Sequence, residues 1–205
     1  MIFMIVKKEG NHEIYYKDED SYKKGIKAAE GWYKNGKHHR EDGPAWIEYY
    51  PNGHKNFEEW YKDGMQHRED GPAFIEYYPN GQVKWEIWAK NNRYTRKDGP
   101  AWVTYYKNGQ TEREEWWLNN KLHRDNAPAV IEYYESGQKR VELWYRRGKL
   151  RREDGPAWIE YNKDGSIAEQ KYFINDTQVS KEEFIRYRQI SRLLESRQKA
   201  RKISL

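Results

Sequence analysis

The chain has 205 residues, enough for one ordinary domain; 36% are hydrophobic, 35% charged and 16% aromatic, with 10 Trp and 18 Tyr. Few aliphatics beside many aromatics exclude both a thick aliphatic core and a disordered chain, and predict folding around aromatic ladders. The absence of cysteine excludes disulfides and thiolate metal sites, and the formal net charge is +5.

The chain opens on MIFMIV, six apolar residues followed by Lys7 and Lys8. This run has the wrong flank for a signal peptide and is far too short to span a membrane. It predicts a capping strand on a soluble, cytoplasmic protein with no transmembrane segment. Residues 1–31 are expected to hold this cap and a degenerate half-copy of a repeating unit, because Tyr22, Gly25 and Glu30 already fall in the phase of the later series.

Residues 32–176 are periodic. Pro44, Pro72, Pro100, Pro128 and Pro156 recur every 28 residues (72 − 44 = 28), and so do Gly53, Gly81, Gly109, Gly137 and Gly165. Trp32, Trp60, Trp88, Trp116 and Trp144 keep the same spacing, which gives five full copies. The phrase HREDGPAWIEYYPNG at 39–53 returns as HREDGPAFIEYYPNG at 67–81. Each copy reads as two strands, PAWIEYY (44–50) and HKNFEEWYK (54–62). Asn52-Gly53 and Asp63-Gly64 read as two-residue hairpin turns with positive φ at both central residues. The equivalents of Gly64 at 92 and 120 are Asn, the next most tolerant residue. Each proline marks a strand start or bend. Ten such strands at ~4.8 Å spacing would make a ribbon of roughly 48 Å. A propeller blade needs ~40–45 residues, so the expected fold is all-β: an elongated antiparallel sheet of tandem hairpins.

The stretch WYKNGKHHREDGPAWIEYYPNG resembles a MORN repeat: an aromatic, Asn-Gly, a basic residue, His, Gly, then an aromatic strand ending in Gly. The resemblance covers residues 32 to about 176. The copies depart from the usual repeat by the RED inserted between His and Gly-Pro, which is closer to the MORN-like variant of bacterial, phage and large-virus proteins, some of them antitoxins. The resemblance implies a β-hairpin ribbon that binds proteins or lipids.

With a two-residue turn at 52–53, Tyr50 faces Lys55, Ile47 faces Glu58 and Ala45 faces Trp60. The face carrying Ala45, Ile47, Tyr49, Glu58 and Trp60 barely changes between copies. Its small Ala beside a large Trp predicts a packed structural ladder of Trp60, Trp88, Trp116 and Trp144. Arg40, Arg68, Arg96, Arg124 and Arg152 are identical in all five copies, and Asp42, Asp70, Asp98 and Asp154 nearly accompany them. These are expected to pair within or between copies and to hold the bend before the proline. The opposite face diverges: position 57 reads Phe57, Trp85, Arg113, Val141 and Glu169. A ladder kept only for stacking has no reason to diversify on one side. That face is therefore the candidate partner-binding surface, with Trp46, Tyr50, Phe57, Phe74, Tyr78, Trp85, Trp102, Tyr106 and Trp158 as its more exposed anchors.

Catalytic readings find little support. His39, His67 and His123 recur in phase, but their equivalents are Thr95 and Arg151, and no Ser joins a His and an acid in a recognisable nucleophile context. Equivalent residues in adjacent copies would lie ~9–10 Å apart, whereas each ligand of a zinc ion sits ~2 Å from it. The glycines lead from strands into hairpins and open no helix, so they form no phosphate loop. The expectation is a non-enzyme with no metal and no cofactor.

From Ser180 the period stops. Ser180 and Glu183 form a capping box, and Phe184, Tyr187, Ile190 and Leu194 follow at helical spacing, with Leu193 adjoining. A helix from about 181 to about 202 is expected, its apolar stripe covering the open end of the ribbon. Residues 177–205 hold eight Lys/Arg and three Asp/Glu, a net of +5, so the remainder balances (38 − 8 = 30 basic, 33 − 3 = 30 acidic). A nucleic-acid-binding ribbon should carry a basic stripe along its length, and this one does not. The leading expectation is a scaffold that binds a protein partner, as an antitoxin-like or counter-defence inhibitor. The alternatives are nucleic-acid or anionic-lipid binding through residues 181–205, and a structural part of a larger assembly.

Overall fold

The computed structural model describes residues 5–174 and 176–203. The first four residues of the expected capping strand lie outside the described residues; its remainder belongs to the edge strand Ile5–Glu9, which pairs with His12–Tyr16. The molecule is mostly β. Fourteen strands run in hairpin order through one long antiparallel sheet, and Lys37–His38 pairs beside this path. Ten of the fourteen lie between Trp46 and Ile174; three precede them and Thr177–Val179 follows. A short helix, Glu19–Lys23, connects the second and third strands. Asp18 caps it by accepting from the Ser21 backbone N–H at 2.7 Å. The sequence reading missed this helix, although an Asp cap, two acidic residues and a following Gly25 signal it.

Two turn chemistries alternate, and one differs from expectation. At Asp63-Gly64 both residues have positive φ, 53° and 79°, so the chain reverses in two residues between Tyr61–Lys62 and Met65–Gln66. Asn91-Asn92 and Asn119-Asn120 do the same with asparagine alone. At Asn52-Gly53, however, only Gly53 has positive φ (84°). The loop is Pro51-Asn52-Gly53: the Gly53 N–H donates to the Tyr50 carbonyl, and the Tyr50 N–H to the His54 carbonyl. Proline fits the second position of such a turn, and glycine supplies the left-handed residue that closes it. This corrects the two-residue turn and the pairing of Tyr50 with Lys55. Asn56 is then bulged out, because Tyr49 pairs with Lys55 and Glu48 with Phe57. The longer loop and the bulge cancel. Ile47 still faces Glu58, and both faces keep their expected residues.

The second strand is also not continuous in the first four copies, whereas in the fifth it runs unbroken as Ile167–Ile174. Lys55–Glu59 belongs to the long sheet, whereas Tyr61–Lys62 pairs only with Met65–Gln66 in a separate two-stranded ladder. The break falls at Trp60, whose N–H donates to the Ala73 carbonyl and whose carbonyl accepts from His67. Equivalent small ladders follow Trp88, Trp116 and Trp144. Alanines are small enough to be wholly covered at these junctions: Ala45, Ala73, Ala101 and Ala129 are 0% exposed.

The C-terminal helix, Lys181–Ile203, starts at the expected capping box: the Glu183 N–H donates to Ser180 Oγ, and the Ser180 N–H to the Glu183 carboxylate. Its role as a lid needs correction. Phe184 is buried against Tyr172, with ring centroids 5.2 Å apart, but Ile190 and Leu194 are 51% and 54% exposed and Leu193 is exposed with them. The helix is anchored by its first turns, and the expected covering stripe faces solvent.

Candidate functional site

The repeating face is held by a row that crosses the whole sheet, alternating aliphatic and acidic: Ile14, Glu30, Ile47, Glu58, Ile75, Glu86, Val103, Glu114, Ile131, Glu142, Ile159. Glu30, Glu58 and Glu142 are buried, which would be costly without partners. Each takes a tyrosine hydroxyl from 19 residues further on: Tyr49 donates to Glu30, Tyr77 to Glu58 and Tyr161 to Glu142, and Tyr133 likewise donates to Glu114. Lys27, Lys55 and Lys139 add ion pairs to the three buried carboxylates. Burial by itself would raise the Glu30 carboxyl, but hydrogen bonds from Tyr49 and Lys27 outweigh it and hold the group below its ordinary value. The tyrosines move the other way. Burial, then the carboxylate, raises Tyr49, Tyr77 and Tyr133, and burial with Glu86 pushes Tyr105 up to about 12. The row ends at Gln170, opposite Ile159. An uncharged amide stands where no following tyrosine is supplied.

The arginines have a second partner that the sequence reading did not name. Arg40, Arg68, Arg96, Arg124 and Arg152 place their guanidinium carbons 3.8–4.2 Å from the ring centroids of Trp32, Trp60, Trp88, Trp116 and Trp144. Nε of Arg40, Arg68 and Arg152 donates to Asp42, Asp70 and Asp154. Nη1 of Arg40, Arg68, Arg96 and Arg124 reaches the carbonyl of the proline four residues on. Each guanidinium is thus clamped between an indole face and the bend before the strand. The constant spacing of eight residues from Trp to Arg (40 − 32 = 8) was the available signal. A Cβ at Gly71 would meet the Arg68 guanidinium at 2.5 Å, so the arginine would have to shift; the fourth copy carries Ala127 at this place and keeps Arg124 on Trp116.

On the variable face, Phe57, Phe74, Trp85 and Trp102 form one continuous stack, with centroid distances of 5.6, 4.4 and 5.3 Å and interplanar angles of 15–23°. Past Trp102 the character changes. Arg113 pairs with Glu115 and Glu132, and Arg140 also reaches Glu132. Trp158, at the far end, lies under Lys171 Nζ at 3.4 Å. The expected anchors are therefore brought together only in part: four stack, Trp46 flanks them, and Trp158 stands apart.

Two expectations for this face change. Trp46, Phe74, Trp102 and Trp158 are half-buried like Trp60, Trp88, Trp116 and Trp144, and are not the more exposed series. The small ladders explain part of this: His38 packs edge-on to Trp46 at 5.4 Å and Tyr94 to Trp102 at 6.2 Å. Tyr50, Tyr78 and Tyr106 are clasps between copies, their hydroxyls donating to the carbonyls of Tyr77, Tyr105 and Tyr133 at 2.7–2.9 Å. Tyr94 is the residue of this face that the sequence reading omitted; its place in the second hairpin was hidden by treating 54–62 as one strand.

Among the described residues, no three or more His, Cys, Asp or Glu gather where they could hold a metal, and no helix is long and apolar enough to cross a membrane. His39, the most buried of the recurring histidines, accepts from the Asp63 backbone N–H through Nδ1 at 3.0 Å, a turn-fastening role. Comparison with protein-family models, with curated proteins and with solved structures finds no match to this chain.

Proposed function

We propose that the chain is a non-enzymatic scaffold, five MORN-like hairpin copies in tandem, that binds one protein partner through the aromatic strip Phe57–Phe74–Trp85–Trp102. The observation that carries this reading is the confinement of the stack to the first half of a structure whose other face repeats throughout. Equivalent positions are filled by Arg113, Val130, Val141 and Glu169 further on, so the fold does not require aromatics there. The stacked rings present their edges, with Tyr94 and Trp46 beside them, which suits apolar insertion from a partner better than base stacking, because the ring faces are already occupied. The resemblance to MORN-like antitoxin and viral proteins supports assigning the chain an inhibitor's role, in which a stoichiometric complex blocks the partner.

The test is affinity capture from the native host with the wild-type chain, Trp85→Ala and Trp102→Ala, each with its melting temperature measured. One protein should be recovered in stoichiometric amount with the wild type and lost by ~10-fold or more with either folded variant, as expected for an anchor contributing ~2 kcal/mol. Identical recovery by all three folded chains would refute the site.

A further inference from the structure

On the variable face each copy carries its own cation among the acids, with one exception. Carboxylates recur there as Glu48, Glu76, Glu132 and Glu160, with Thr104 in the third copy. In the second and fourth copies the bulged residue eight positions on is basic and neutralises the acid. Lys84 meets Glu76 at 2.6 Å, and Arg140 ion-pairs with Glu132. The third copy pairs Arg113 with Glu115. The fifth has Ala168 at the bulge, but Lys171 follows it, with Nζ 3.4 Å from Glu169 and 3.4 Å from the Trp158 ring centroid. The first copy has neither cation. Its bulged residue is Asn56, and Glu59 holds the place of Lys171 (59 + 4 × 28 = 171).

Glu48 and Glu59 are diagonal neighbours on this face, because Trp46 pairs with Glu59 and Glu48 with Phe57. Both are half-buried, and among the described residues neither has an ion-pair partner. Burial raises the Glu59 carboxyl above its ordinary value; a hydrogen bond from the Tyr61 hydroxyl opposes this, and the Glu48 charge adds to it. The acids also adjoin the aromatic stack. Phe74 stands opposite Glu59, and Phe57 lies beside it on the same strand, the two rings 5.6 Å apart. Trp46 is committed elsewhere, its ring lying over Gly31 and 5.3 Å from Tyr15. This end of the strip therefore joins ring edges to two carboxylates that lack a cation. Phosphates would be repelled here, whereas a basic side chain with an apolar stem matches both parts. Lysine brings a point charge, but the planar fork of arginine can reach two carboxylates at once.

We infer that the occupant of this end is an arginine side chain of the protein partner, its guanidinium bridging Glu48 and Glu59 and its stem lying against Phe57 and Phe74. The inference rests on the aromatic strip as the partner surface and adds the chemistry of what binds there: an exposed arginine with apolar neighbours.

A random-peptide library selected against the full wild-type chain is the probe. Enriched sequences should carry arginine beside apolar residues, and Trp85→Ala should abolish their binding. For the tightest peptide, made synthetically, citrulline in place of arginine should weaken binding by ~10-fold or more. Glu48→Gln with Glu59→Gln should weaken it as much while melting normally, because the pair removes mutual repulsion and no ion pair. Combining the peptide and protein changes should cost little more than either alone, since both break one contact. The citrulline arm needs no variant of the protein. Peptides that require Trp85 but tolerate citrulline, or bind the Gln pair unchanged, overturn the inference and leave the strip standing. Peptides indifferent to Trp85→Ala, or a library that yields no binder, overturn both. A wild-type mass that grows with concentration in sedimentation, and does not in the Gln pair, would seat a second molecule of this chain there and overturn the inference too.

Discussion

Tyr77→Phe removes one oxygen from the interior of the repeating row. In the wild type that hydroxyl donates to Glu58 at 2.5 Å, and Glu58 is 5% exposed with Lys55 as its other charged partner. A hydrogen bond to a charged acceptor contributes ~1.5–3 kcal/mol, and the remaining lysine keeps the loss short of the upper end, so a cost of about 2 kcal/mol is expected. For a chain of this size each kcal/mol moves the melting temperature by ~2–4 °C, which predicts a drop of roughly 4–8 °C in a circular-dichroism melt. Glu58→Gln supplies the second arm of a double-mutant cycle. In that background Tyr77→Phe should cost ~1 kcal/mol or less, because the donor now meets a neutral amide. Tyr161→Phe is the internal comparison: its bond to Glu142 is longer, 3.2 Å, and should be worth about half as much. A fall of under ~1 °C for Tyr77→Phe, or a cycle with no coupling, would refute the idea that these hydroxyls make buried carboxylates tolerable.

Three further outcomes are expected. Gly71→Ala should destabilise by ~1–3 kcal/mol, because its methyl would collide with the Arg68 guanidinium at 2.5 Å, whereas Gly155→Ala, with 3.4 Å available, should cost less; paired melts decide. Phe184→Ala should release the helix, seen as new protease cleavage between 180 and 203, while Ile190→Gln with Leu194→Gln should leave the melt within ~0.5 kcal/mol of wild type because both are already exposed. Finally, Tyr49, Tyr77 and Tyr133 are raised above 10.0 in the fold, chiefly by burial. Their stabilising contribution is therefore complete below pH 10.0 and lost as pH rises beyond it, since only the unfolded chain ionises freely; stability should fall steeply there, with tyrosinate absorbance appearing together with unfolding.

The sheet was legible in the sequence because its two determinants are local: alternating residues set the faces, and left-handed turn residues set the reversals. Pairing of Ile47 with Glu58 was reached through a wrong loop, and the sheet corrected the error with a bulge at Asn56 that no residue preference announces. The break at Trp60 was illegible for a different reason. Nothing in HKNFEEWYK interrupts strand propensity; the interruption comes from hydrogen bonds to Ala73 and His67, which only the assembled fold supplies. The candidate strip was half visible. Divergence at position 57 singled out Phe57 and Trp85, but the same test could not separate Tyr50, Tyr78 and Tyr106, whose hydroxyls serve the backbone of the next copy. For the helix, the capping box and the extent were legible, but of the expected stripe only Phe184 is buried, because the sheet ends beneath the first turns and leaves Tyr187, Ile190 and Leu194 exposed.

The 19-residue reach from each glutamate to its tyrosine restricts how such a chain can change length during evolution. Cutting out or duplicating a whole 28-residue unit at equivalent points preserves every acid–phenol partnership, because donor and acceptor move together. An insertion between the two that is not absorbed by the exposed turn or bend loop, and so shifts one strand against the next, would leave a buried carboxylate with its phenol displaced, at about the 2 kcal/mol expected for Tyr77→Phe. Growth or shrinkage should therefore proceed in full units, and the neutral Gln170 marks where the series can terminate without a stranded charge.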